Sequence, residues 1–303
     1  MNISRYYRSR GLFLLAVASC VSMAWFGSRA VGVPWYESFQ MSLFQQPSVA
    51  WTLGVIAVLT ILGTIVGQLI AGGIRVEAGF VAGLLGLLGL SMRGGTIRSV
   101  YQAAQSPAVF HQLAMEMAIY GVLATLLWLA LRFVMDSPSA PAFLRRPPPP
   151  KSPPLPIVAT SIVCQTVACL LLMYILGRSD TKGQAIGSVV AASLLSTMAV
   201  RMLFPLPTSA IYWPAPLVAG IIGYLVNGLD PAGLEIADLT GRFAPLAQAL
   251  PLDYLAAGPS AAIIGYWLSE SWTRTTPTTA PAPSAAKPDS PATISPLNQP
   301  GVR

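Results

Sequence analysis

Apolar residues run through this chain in blocks, and the polar positions fall between the blocks rather than within them. The longest block, Val49–Ile74, stops at Arg75, Val76 and Glu77; a glycine-rich block, Ala78–Met92, follows and closes at Arg93. A helix needs about 20 apolar residues to cross the hydrocarbon of a bilayer. The stretch Val49–Arg93 therefore reads as a transmembrane helical hairpin.

The same rule parses the rest of the chain. Arg5, Arg8 and Arg10 precede the apolar run Gly11–Gly27, the charge-then-hydrophobe order of a signal anchor. Ser28-Arg29-Ala30 offers an alternative cleavage site, and Val17-Ala18-Ser19-Cys20 resembles a bacterial lipobox. Val21–Phe26 stays apolar past Cys20, which favours an uncleaved span. Trp35, Phe39 and Leu43, spaced by four within Pro34–Pro47, predict a short interfacial helix. A fourth span covers about Gln112–Met135 and carries Glu116 near its start and Arg132 near its end.

Asp136–Pro156 holds Pro147–Pro150, Pro153 and Pro154, so it cannot be helical and favours extended polyproline geometry. It divides the chain into residues 31–135, a first bundle after the anchor (1–30), and residues 157–272, a second bundle. The second bundle reads as spans Ile157–Leu176, Ala185–Leu203, Ala215–Leu229 and Leu255–Trp272, the last interrupted by Gly258 and Pro259. Ala232–Phe243 sets Leu234, Leu239 and Phe243 against Glu235, Asp238 and Arg242, a second interfacial helix. Residues 273–303 are a Thr/Pro/Ala/Ser tail without periodicity, expected to be disordered.

Composition supports this division. Charged residues are 10% of the chain and apolar ones 54%, against roughly 25% and 45–50% in soluble domains. The net charge of +7 is spread over span ends, which argues against nucleic acid as a partner and for the bilayer. With the amino terminus inside, most basic residues, including Arg145, Arg146 and Lys151 of the linker, fall on the cytoplasmic side. Arg93, Arg98, Arg178 and Lys182 are exceptions on external loops. Both termini are then cytoplasmic, and the expected location is a bacterial inner membrane. The fold expected is all-α: a polytopic helical integral membrane protein with about eight transmembrane helices.

A shift of 108 residues lays Val49 on Ile157 and Arg93 on Arg201, with Gly79/Gly187, Val81/Val189 and Leu87/Leu195 identical on the way. Each unit is a long span, a polar break, a small-residue span ending in arginine, and a third span. Three spans per unit make the copies antiparallel, so the layout suggests a 3+3 inverted repeat. Ala219–Val226 and Ala261–Leu268 echo one another as well, as two helices with similar packing faces.

Chemistry-bearing residues are few. Small residues four apart, Gly63 and Gly67, Gly79 and Gly83, Gly183 and Gly187, mark faces where helices approach closely. Glu116 and His111 are the ionisable candidates, five apart and about 140° around a helix, so they form no relay. Glu116 sits a turn inside its span, where it is expected to reach for headgroups. Gln68, Gln165 and Asn227 are the neutral polar groups inside spans. Cys20, Cys164 and Cys169 lie in apolar runs as small apolar side chains. Gly258-Pro259-Ser260-Ala261 has the outline of the G-x-S-G motif of rhomboid intramembrane proteases. Ala261 replaces the second glycine, and the one histidine, His111, precedes it rather than following. A serine without a base is not activated, so the comparison is rejected.

No phosphate loop, metal-ligand cluster or cofactor motif is present in the sequence. The expectation is a transporter-like or channel-like protein for a small neutral solute or lipid. The alternative is a structural or accessory subunit that docks on partner membrane proteins or on its own copies. A lipid-modifying enzyme needs charged groups inside the membrane that the apolar blocks do not show.

Overall fold

Serine and proline set the helix starts. Ser48 accepts a hydrogen bond from the Trp51 N–H and so caps helix α2 (Val49–Ala71), satisfying one of its orphan amides. Pro107, Pro154 and Pro214 immediately precede α6 (Ala108–Asp136), α7 (Leu155–Leu176) and α9 (Ala215–Gly228), where a missing N–H and a fixed φ are harmless. The computed structural model describes residues 3–31, 42–137, 153–179, 181–240 and 243–275. The other helices are α1 (Ile3–Gly27), α3 (Ala78–Gly86), α4 (Leu88–Ser91), α5 (Ile97–Ala104), α8 (Lys182–Leu203), α10 (Pro231–Thr240) and α11 (Pro251–Thr275). Among the described residues the fold is all-helical, with no strand.

Among the described residues, six helical segments are long and apolar enough to cross a membrane: Arg8–Gly27, α2, α6, α7, α8 and Ser209–Gly228. The two further spans expected from the apolar pattern differ from these. Ala78–Ser91 is shorter, and it breaks at Leu87 into α3 and α4. Helix α11 is 25 residues long but carries Asp253, Ser260, Ser269 and Glu270. Its aliphatic and small side chains from Leu252 to Ile263 are buried, so it forms the centre of the bundle and packs on α8, α3, α6 and α9. Phe80 of α3 joins the chain's two halves, its ring edge-on to Trp128 of α6 at 5.1 Å and to Trp213, just before α9, at 5.7 Å.

Side-chain contacts sort the helix ends into two groups. At the end where α6 finishes and α7 begins lie Arg75, Glu77, Arg132, Ser209 and Glu270. Ser28, Gln45, Arg93, Arg98, Glu116, Lys182, Asp238 and Asp253 lie at the far end. Helix α2 starts from the far end and α7 from the other, so the two hairpins run in opposite directions.

Several expectations need correction. The described part of Pro34–Pro47 is no surface helix: Leu43–Gln45 form a 3₁₀ turn, and Leu43 is buried in the core. Trp35 and Phe39 lie outside the described residues, as do the linker prolines 147–150 and the tail beyond 275. In α10 the apolar face is split. Leu234 is buried with nearby Phe243 while Leu239 is 78% exposed, because Asp238 is drawn to Arg98 and Gln102 of α5. Arg242 lies outside the described residues.

Candidate functional site

The far end gathers the buried ionisable groups. Glu116 is fully buried on α6. Instead of reaching for headgroups, its Oε2 accepts two hydrogen bonds at 2.9 Å, from the Ser42 hydroxyl and from the Leu43 N–H. These hold the Leu43–Gln45 turn down on the bundle. Gln45 is fixed in turn by donating to the Val100 carbonyl at 2.8 Å. Beside this turn a cavity of about 390 Å³ opens to the surface, lined by Gln45, Ser106, Gln112, Ala103, Ala108 and Val109. No charged side chain lines it, and its volume falls in the range of small-molecule sites.

Asp253, on the first turn of α11, is also fully buried. Its carboxylate accepts from the Leu250 N–H at 2.8 Å, from the Ser91 hydroxyl, and from Lys182 Nζ at 2.8 Å. Lys182 Nζ donates again to the Gly95 carbonyl at 3.1 Å. Glu116 and Asp253 lie close enough to feel each other's charge. The Lys182 ammonium thus neutralises one of two neighbouring carboxylates, and every oxygen of Asp253 has a donor, the condition for keeping a charge in a low dielectric.

These contacts cross between the halves of the chain: Ser91 and Gly95 precede the linker, Lys182 and Asp253 follow it. The other end carries a matching tie. Arg75 pairs with Glu270 at 2.5 Å and lies over the Trp267 ring at 5.4 Å, and Ser209 donates to Glu77 at 2.9 Å.

The remaining sequence candidates separate. His111 is exposed and lies against Gly228, away from Glu116. Gln68 is buried between α2 and α3 and accepts from the Gly79 N–H at 3.0 Å. Gln165 is fully buried and donates to Thr197 and to the Tyr212 carbonyl. Asn227 donates only to the Gly223 carbonyl of its own helix, at 2.7 Å, a local bond. Gly63, Gly67, Gly79 and Gly83 form the α2–α3 crossing: a Cβ at Gly83 would lie 2.6 Å from the Thr64 backbone nitrogen. Gly183 and Gly187 are exposed, with nothing within 4 Å of a Cβ, so within this chain they are no packing face.

Cys20 is buried in α1 and donates to the Gly63 carbonyl at 3.2 Å. Ser260 lies inside α11, fully buried, with its hydroxyl 3.4 Å from the Val81 carbonyl and no base beside it among the described residues. No group of metal-ligating side chains occurs among the described residues. Asp253 and Lys182 were not singled out from the sequence, where both look like loop charges. The one signal was that Lys182 breaks the positive-inside pattern. Comparison with protein-family models, with curated proteins and with solved structures finds no match.

Proposed function

We propose that this chain is a bacterial inner-membrane carrier for a small neutral solute, and that it moves its two halves against each other. The observation that carries this reading is the pair of polar ties between the halves, one at each end of the bundle: Lys182–Asp253 with Ser91 and Gly95, and Arg75–Glu270 with Glu77–Ser209. Ties at both ends describe a closed state from which either end is released in turn. The uncharged cavity beside Gln45 favours a neutral cargo.

In this reading α3–α4 and α11 also cross the membrane, giving eight crossings with both termini cytoplasmic. Broken or proline-bearing helices at the centre of a bundle are the kind that transporters use. The opposed directions of α2 and α7 support the 3+3 inverted repeat. So do Arg93 and Arg201, each at the end of its small-residue helix. Arg93 donates to Ser28 and lies over Trp25, three residues earlier. Arg201 donates to Ser269 and lies over Tyr266, also three residues earlier, at the opposite end. The reading assigns no catalysis to the chain.

The test is uptake of labelled neutral solutes such as glycerol and urea into liposomes carrying the purified protein. Saturable uptake above that of empty liposomes is expected, and none with any solute of the panel contradicts the proposal. A second reading, an accessory subunit, is favoured by Gly183 and Gly187, whose small faces are left uncovered. That reading expects a stoichiometric membrane partner to co-purify in mild detergent and to be lost on Gly187→Leu.

A further inference from the structure

We infer that the solute-binding site of this carrier is the polar seam halfway along α7 and α8, and that it takes small uncharged molecules that donate hydrogen bonds to Gln165 Oε1. The inference rests on the carrier reading and names where the cargo is held.

Ser161, Gln165 and Cys169 follow at four-residue spacing along one face of α7, and all three are buried. Opposite them on α8 stand Ser193, Ser196 and Thr197, each fully buried; the Cys169 thiol lies against Ser193 and Ser196. The orientation of the Gln165 amide is fixed by chemistry. Thr197 gives its own proton to the Ser193 carbonyl at 2.8 Å, so toward Gln165 its oxygen accepts. The Tyr212 carbonyl can only accept. The group facing both, at 2.7 and 2.8 Å, is therefore the NH₂ of Gln165, and both its hydrogens are used.

That leaves Oε1 as a fully buried acceptor with no donor from the protein. The hydroxyls around it are engaged by weak partners, Ser161 by Tyr212 and Ser193 and Ser196 by the Cys169 thiol. A buried acceptor in a membrane interior is costly unless something pairs with it. Set at the depth where carriers hold cargo, among hydroxyls that can turn toward it, it calls for a ligand that donates.

The seam also says which ligand. The nearest charge on these helices, Arg201, is one turn past Thr197 and is taken up by Ser269 and the Tyr266 ring. An ion would enter without a counter-charge and lose its hydration. Serine, threonine and cysteine side chains around an acceptor suit a compact amide or polyol. Water shares this chemistry, and the experiment separates the two.

Cys169 is a native reporter. With Cys20→Ala and Cys164→Ala it becomes the one thiol of the full chain, reconstituted in lipid nanodiscs and treated with a small neutral methanethiosulfonate. Cys169 is expected to react, and glycerol or urea to slow the reaction several-fold in a saturable way, with sucrose, too large to enter, having no effect. Gln165→Met should abolish the protection; Thr197→Val, which frees the amide to turn, should weaken it if the first variant does not fold. No reaction at Cys169, or a reaction that neither glycerol nor urea slows, overturns the inference and leaves a seam that holds water only or is dry. Protection without uptake into liposomes keeps the site and removes the carrier. Uptake that Gln165→Met leaves unchanged does the reverse.

Discussion

Lys182 and Asp253 depend on each other. Their side chains are 15% and 1% exposed, so removing either leaves a buried charge with no counter-charge. Breaking such a pair from one side costs about 3–5 kcal/mol, whereas replacing both partners by apolar groups of similar volume is often close to neutral. Lys182→Met and Asp253→Leu should each lower the thermal midpoint in detergent, and the double variant should recover most of the loss. Glu116 makes a different prediction. Glu116→Ala strands the Leu43 N–H and the Ser42 hydroxyl in the core, at about 1–3 kcal/mol each, while Glu116→Gln keeps an oxygen to accept them. Hydrogen exchange at Leu43 should rise sharply in the first variant and little in the second.

At this scale the sequence showed which residues were unusual but not what they meet. Glu116 was legible as an ionisable group in an apolar run. Its donors were not, because Ser42 is 74 positions away. Of the basic residues at the far end, Arg93 meets Ser28, Lys182 meets Asp253 and Arg98 lies beside Asp238. Arg178 caps the Ile175 carbonyl at the end of its own helix. In the proposed topology these are charges on the less favoured side of the membrane, and Arg93, Lys182 and Arg98 each mark a tertiary contact.

Among the elements, the α2–α3 crossing is held by backbone approach. Gly67 stacks over Ala82, Gly79 lies on Gln68 and Gly83 on Thr64, so no methyl group fits without parting the helices. Gly83→Ala should destabilise by about 1–3 kcal/mol through overpacking. Gly187→Ala, facing open space, should change stability by less than about 0.5 kcal/mol, the usual range for surface positions. Equal losses in the two variants, read by thermal unfolding, would contradict this packing. The glycine spacing alone could not separate these cases, since a small-residue face is the same string whether or not a helix lies on it. The hairpin itself was legible from its polar break at Arg75–Glu77. The interruption at Leu87 was not, because leucine is an ordinary helix residue. Helix α11 was read short, as Leu255–Trp272. Pro251, Leu252 and Asp253 resemble a loop until Asp253 is seen to cap its own helix through the Leu250 N–H.

At the scale of the whole molecule, the proposed carrier has its halves tied at either end and releases one end at a time. From composition and span parity the sequence suggested a division at the proline-rich linker and opposed hairpins. It could not supply the ties, which join residues 87 to 195 positions apart. The most direct measurement is the labelling of single cysteines at Ser106, by the far end, and at Ala210, half-buried beside the tie at the other, in sealed vesicles. It would be made with the Arg75–Glu270 tie intact and with Glu270→Gln. Ser106 and Ala210 should first label from opposite sides of the membrane. Weakening the tie should then raise the rate at Ala210 and lower it at Ser106, because opening one end closes the other. Rates that rise together, or that do not change at Ser106, would mean that the ties only hold a static bundle together.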